Sequence, residues 1–138
     1  MIFQKEISLS PFSKGFHIIT DIISEIIQSS GIETGTAQIF ILHTSASLTI
    51  NENTDPTVLL DLESHFNKFV PENQPYYQHN YEGPDDMPAH IKSSLLGTSV
   101  HFPITYGRPN LGTWQGIYLG EHRNDGGSRK LIITINGK

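Results

Sequence analysis

Residues 36–43 alternate: Ala37, Ile39, Ile41 and His43 fall on one side, with Gln38, Phe40 and Leu42 on the other. This period of two predicts a strand with one face in a core. Residues 2–9 read as an earlier strand, and Pro11 and Gly15 punctuate the loop after it. A short strand is expected over Ser47–Ile50, and three more near 99–105, 113–122 and 129–136. Gly126-Gly127 reads as a hairpin turn between the last two.

The period changes in three places. Ile22, Ile23, Ile26 and Ile27 share a helical face that begins at Thr20, a candidate N-cap, and stops near Gly31. β-Branched residues are poor intrinsic helix formers, so this helix must be held by packing. Asp55-Pro56 is an N-cap followed by proline where its missing N–H is not needed. Val58, Leu59, Leu62, Phe66 and Phe69 line the helix it starts, which ends before Pro71. Residues 71–87 form a polar loop rich in proline, tyrosine and acid. Pro88 then opens a short helix expected to bury Ile91 and Leu95 and to stop at Gly97.

Several strands with interspersed helices predict an α+β fold, a mainly antiparallel sheet with helices packed on one face. The other face then needs a cover, which a small chain obtains by oligomerising. With 138 residues and 36% hydrophobic residues, a single domain over 1–138 can bury about two-thirds of its unfolded surface. No cysteine is present, which excludes disulfides, thiolate metal sites and cysteine nucleophiles. No apolar run approaches membrane-spanning length, and the first residues do not read as a basic-plus-apolar leader, so a cytoplasmic protein with no membrane partner is expected. A net charge of −5 argues against nucleic acid as a partner.

Three segments concentrate chemistry. In His43-Thr44-Ser45-Ala46-Ser47 a histidine stands beside hydroxyls at a strand end, which suits a metal ligand or base with anion contacts, or merely a solvated strand terminus. Between His79 and His90 lie Glu82, Asp85 and Asp86, and Asp86 and His90 are four apart, one helical turn. Imidazole with carboxylate suits zinc, iron or manganese, whereas acids at a helix start also favour that end without any metal. In Leu111–Arg123 the only tryptophan, Trp114, lies in a strand-like run between glycines as a candidate stacking wall or core residue. Arg123 is a candidate phosphate contact or surface ion pair. His17, His65 and His101 are read as structural. There is no P-loop, dinucleotide fingerprint or Gly-x-Ser-x-Gly elbow.

Taken together, His43-Thr44-Ser45-Ala46-Ser47 with Asn51-Glu52-Asn53, Asp85-Asp86-Met87-Pro88-Ala89-His90-Ile91-Lys92 and Gly112-Thr113-Trp114-Gln115-Gly116-Ile117 resemble the YjbQ family over essentially the whole chain. The resemblance implies an α+β subunit in a homotrimer with sites near subunit boundaries. It also implies a low, secondary thiamine-phosphate synthase activity, joining hydroxymethylpyrimidine diphosphate to a thiazole phosphate. Set beside that reaction, His43, His79 and His90 are the expected ligands of a divalent metal ion, zinc first and magnesium for the synthase-type reaction. Thr44, Ser45, Lys92 and Arg123 are anion contacts, with Trp114 and Gln115 beside the ring. Asp86, His43 and His90 are the expected catalytic groups, Asp86 as a base whose proton affinity Asp85 raises by like-charge repulsion. The leading expectation is a metal-assisted enzyme acting on a small phosphorylated or heteroaromatic metabolite. The alternative is a non-catalytic trimeric module that binds a metabolite or metal.

Overall fold

The computed structural model describes residues 1–138. Its elements run β1 (Ile2–Ser8), β2 (Gly15–Ile18), α1 (Thr20–Ser30), β3 (Thr34–Ile41), β4 (Ala46–Glu52), α2 (Pro56–Phe69), α3 (Asp86–Leu96), β5 (Ser99–Thr105), β6 (Arg108–Pro109), β7 (Gln115–Glu121) and β8 (Lys130–Gly137). The fold is α+β and every strand pairing is antiparallel. The strands form two sheets, in the orders β1-β8-β3-β5-β6 and β2-β7-β4.

The alternation in β3 sets the core. Ile39 lies opposite Val100 on β5 and Ile133 on β8, and all three are buried. Leu48 on β4 and Ile117 and Leu119 on β7 join them from the second sheet, and Ile23 and Ile27 from α1, in one hydrophobic cluster. Gly31 ends α1 in the left-handed region at φ 74°, a conformation that glycine adopts without strain. Asp55 caps α2 as expected, accepting from the Thr57 amide at 2.9 Å.

Several expectations change. Thr20 is not the N-cap of α1: Ile19 holds that position without a side-chain hydrogen bond, and the Thr20 hydroxyl instead accepts from the Ile117 amide on β7 at 2.9 Å. The Gly126-Gly127 stretch is not a hairpin: β7 pairs with β2 and β4, while β8 pairs with β1 and β3, so residues 122–129 carry the chain between sheets. Glycine at 126 is required instead by close packing, because a Cβ there would run into the Glu121 carboxylate. β2 falls in the stretch that Pro11 and Gly15 mark as a loop. Finally, α3 begins at Asp86 and buries Asp86, Pro88, Ala89, Lys92 and Ser93, leaving Leu95 56% exposed. Small Ala89 and Ser93 let this helix approach β4, where the Ser93 hydroxyl donates to the Ala46 carbonyl at 2.9 Å.

Because side chains alternate along β7, Ile117 and Leu119 face the shared core while Tyr118 and His122 face the other way. There Phe16 packs near Phe66 of α2, Tyr118 and His122. The outer face of the five-stranded sheet is exposed: Gln38 stands between Thr134 and His101, and Phe40 is 41% exposed.

Candidate metal centre

Asp86 opens α3, His90 follows one turn later, and His79 reaches in from the preceding loop. One donor atom from each lies within 4.8 Å of the other two. Asp86 Oδ2 is 2.6 Å from His79 Nε2 and 3.2 Å from His90 Nε2. Its other oxygen accepts from Arg123 Nη1 at 2.6 Å. The carboxylate is almost wholly buried, while the two imidazoles are about one-third exposed.

His90 Nδ1 is 3.0 Å from the Thr44 carbonyl oxygen, which can only accept, so Nδ1 carries the proton. A neutral His90 then directs an Nε2 lone pair at the Asp86 carboxylate. Two acceptors facing each other at that distance need a cation between them or a second proton on the ring. Orientation of one imidazole nitrogen by a backbone carbonyl is the usual support of a metal-binding histidine. Without an ion the ring takes that second proton and both imidazoles donate to Asp86: burial pushes its carboxyl up, but the His79 hydrogen bond, the Arg123 charge and the charge and hydrogen bond of His90 outweigh it and hold the group below its ordinary value.

A polar chain supports this arrangement. Arg123 Nε donates to Asp85 at 3.0 Å and Nη2 to the Glu82 carbonyl at 2.9 Å, while the Asn124 amide donates to Asp85 at 2.9 Å. The Arg123 amide donates to Glu121 at 3.2 Å. Glu121 is also paired with Arg129 at 2.8 and 2.5 Å, and Arg129 donates to the Ser45 carbonyl at 3.1 Å. Asp85 therefore does not raise the proton affinity of Asp86 as expected. Burial pushes both carboxyls up, but the Asn124 amide on Asp85, the His79 hydrogen bond on Asp86 and the guanidinium that bridges the two outweigh it and hold both below their ordinary values.

Of the expected ligands, the structure brings His79 and His90 together with Asp86, not with His43. The Nε2 of His43 accepts the Lys130 amide at 2.8 Å, and its proton affinity is lowered by burial and then by Arg129. Thr44 and Ser45 act through their backbone carbonyls. Arg123 is at the centre. Trp114 and Gln115 are not: they stand at the opposite end of β7 from Glu121, about 20 Å away at ordinary strand rise, and Trp114 is 61% exposed. Lys92 leaves α3 on another flank, buried, where burial and then the Lys14 charge push it down to about 8. A cavity of about 290 Å³, lined in part by Tyr77, His79, Asn80 and Met87, opens beside the centre.

Glu121, Arg129 and the Ser47–His122 pair carried no distinguishing spacing in the sequence. The alternation of acid and base along Glu121-His122-Arg123 was the only local trace of them.

Fold and site together define a two-sheet α+β protein with a two-histidine, one-carboxylate cluster at the start of a helix. The chain belongs to the UPF0047 protein YjbQ-like family, whose sequence model matches residues 5–138. It is 55% identical to the UPF0047 protein YjbQ of Salmonella typhimurium over 139 residues, covering 100% of both chains. It is 46% identical to UPF0047 protein sll1880 of Synechocystis, over 98% of this chain and 92% of the relative. Among solved structures, a YjbQ/UPF0047 family protein from Clostridium acetobutylicum superposes with a TM-score of 0.85 at 40% identity, covering 96% of this chain and 99% of that one. A YbjQ-like protein from Sulfolobus solfataricus superposes with a TM-score of 0.89 at 27% identity, over 100% and 99% of the two chains. No helix is long and apolar enough to cross a membrane.

Proposed function

We propose that His79, Asp86 and His90 hold a divalent transition ion, zinc first, and that the chain uses it on a small phosphorylated metabolite. The observation that carries this reading is the Asp86 carboxylate facing the Nε2 of a histidine whose other nitrogen is committed to Thr44. Two imidazoles and one carboxylate suit zinc, iron or manganese and leave open coordination positions. A bound ion there supplies positive charge for a phosphate group and a polarised water. The chain's own groups do the rest: Thr44 fixes the His90 tautomer, Arg123 holds Asp86 ionised, and the cavity beside His79 admits the ligand.

The finer part of the proposal is a weak thiamine-phosphate synthase-type transfer in a cytoplasmic homotrimer. The exposed outer face of the five-stranded sheet supports the assembly, since Phe40 and its neighbours there have no cover within one chain. Asp86, already paired on both oxygens and held ionised, fits a ligand or orienting role better than a general base.

Elemental analysis of chelated and zinc-reloaded protein tests the centre, with one ion per chain expected. Undiminished zinc in the His79→Ala and His90→Ala variants would refute it. Turnover of hydroxymethylpyrimidine diphosphate with thiazole phosphate, lost on chelation and restored by the ion, separates an enzyme from a non-catalytic metal-binding module.

A further inference from the structure

On the far flank of α3, two ammonium groups converge. Lys92 Nζ donates to Asn67 Oδ1 at 2.8 Å, and Lys14 Nζ donates to the same oxygen at 2.7 Å. Lys14 is also paired with Glu63 Oε1 at 2.8 Å, so one of the two cations has a counterion. Lys92 has none: it is 1% exposed, and no carboxylate lies within ion-pair distance of its Nζ. A buried cation without a counterion is costly, and here it lies beside a like charge.

Lys14, Asn67, Val70, Glu72 and Lys92 line a cavity of about 350 Å³. Both lysine charges bear on His122, whose buried Nδ1 has no hydrogen-bond partner, and Glu63 Oε2 is also without one. Glu72 is exposed and lies beyond ion-pair distance of either lysine. The lysines come from separate parts of the fold, Lys92 from α3 and Lys14 from the loop before β2. Neither belongs to the His79–Asp86–His90 cluster.

We propose that Lys14 and Lys92, with Asn67 between them, form a second site that takes the phosphate group of a small metabolite. Two adjacent ammonium groups act as point charges suited to a tetrahedral, doubly charged oxyanion. The cavity is larger than one phosphate and leaves room for the rest of a phosphomonoester. Glu63, already paired with Lys14, and the exposed Glu72 both oppose the anion by like charge and limit its affinity.

Calorimetric titration of inorganic phosphate into chelated protein at fixed ionic strength tests the site, because removing the metal keeps its outcome separate from that of the His79–Asp86–His90 centre. One phosphate per chain is expected, weakened at least tenfold in Lys92→Met and in Lys14→Met. Glu72→Gln should bind several-fold more tightly, which a merely structural role for these lysines would not produce. Thermal unfolding of each variant identifies the folded ones, and Glu72→Gln, at an exposed residue, carries the test if a lysine variant fails to fold. Acetate serves as the carboxylate control. No phosphate binding in the parent protein, equal binding in the folded lysine variants, no gain in Glu72→Gln, or binding of acetate but not phosphate overturns the proposal.

Discussion

Ser47 Oγ and His122 Nε2 are hydrogen-bonded at 2.8 Å, and both side chains are shut off from solvent. Burial, followed by the charges of Lys92, Lys14 and Arg129, pushes His122 down to about 3. The unfolded chain takes up this proton near the ordinary value of 6.5, whereas the folded chain refuses it until about 3. Stability from this group is therefore complete above pH 6.5 and is lost progressively as pH falls toward 3. At pH 5 the loss should reach about 2 kcal/mol. Urea midpoints at pH 7 and pH 5 measure it, and His122→Gln should flatten the difference. An identical slope in both proteins would assign the acid sensitivity elsewhere.

His43→Ala and His90→Ala should part company. Because His43 is committed to the Lys130 amide, its removal should leave zinc stoichiometry intact and lower only the unfolding temperature. His90→Ala should lose the ion, since it removes one of the three converging donors. Acid competes with the metal for imidazole, so occupancy should fall on acidification. Zinc loss in His43→Ala equal to that in His90→Ala would restore His43 to the centre.

Arg123→Gln removes the cation that holds two carboxylates. Leaving buried charges without a partner costs several kcal/mol in a dry site, and the partial exposure of Arg123 reduces this to about 2 kcal/mol. Asp85 and Asp86 have lowered proton affinities in the parent chain, so their stabilisation is present above the ordinary carboxylate range and lost as pH falls through their folded values. In Arg123→Gln that acid-induced loss should shrink. Denaturant midpoints at pH 7 and pH 3 would show the two proteins converging, and parallel curves would speak against the bridge.

The Glu121–Arg129 pair is more deeply buried, at 0% and 4% exposure. Glu121→Gln should cost about 3 kcal/mol, because Arg129 keeps its charge and loses its counterion. Gly126→Ala should cost about 1–3 kcal/mol by overpacking the same carboxylate. In the double variant the two costs should fall short of their sum, since both disturb one group. Additive losses would mean that Gly126 and Glu121 are independent.

Strands with clean alternation, and helix ends marked by Asp-Pro or by glycine, were legible in the residue order alone. β3 alternates about Ile39, and β5 covers the 99–105 stretch as read. α2 starts at Pro56 behind Asp55, because capping is a local contest between a side chain and an unpaired amide. Asp86 and His90 were also legible as neighbours, since one helical turn brings them together whatever the rest of the chain does. Whatever depends on partners distant in the chain came from packing. A period of two says that β7 and β8 are strands but not that they lie in different sheets, and Gly126-Gly127 looks the same in a hairpin as in a crossing between sheets. Residue types alone put His43 among the ligands and Asp86 outside them, whereas the folded chain gathers Asp86 and leaves His43 out. Packing of α3 against β4 brought Thr44 to His90, while the end of β3 put His43 against the Lys130 amide. Burial of Lys92 rather than Leu95 was settled in the same way, by the small residues that let one face of α3 approach the sheet. Local propensity is written in neighbouring residues, but which charges meet, and in how dry a place, follows only from the contacts the folded chain makes.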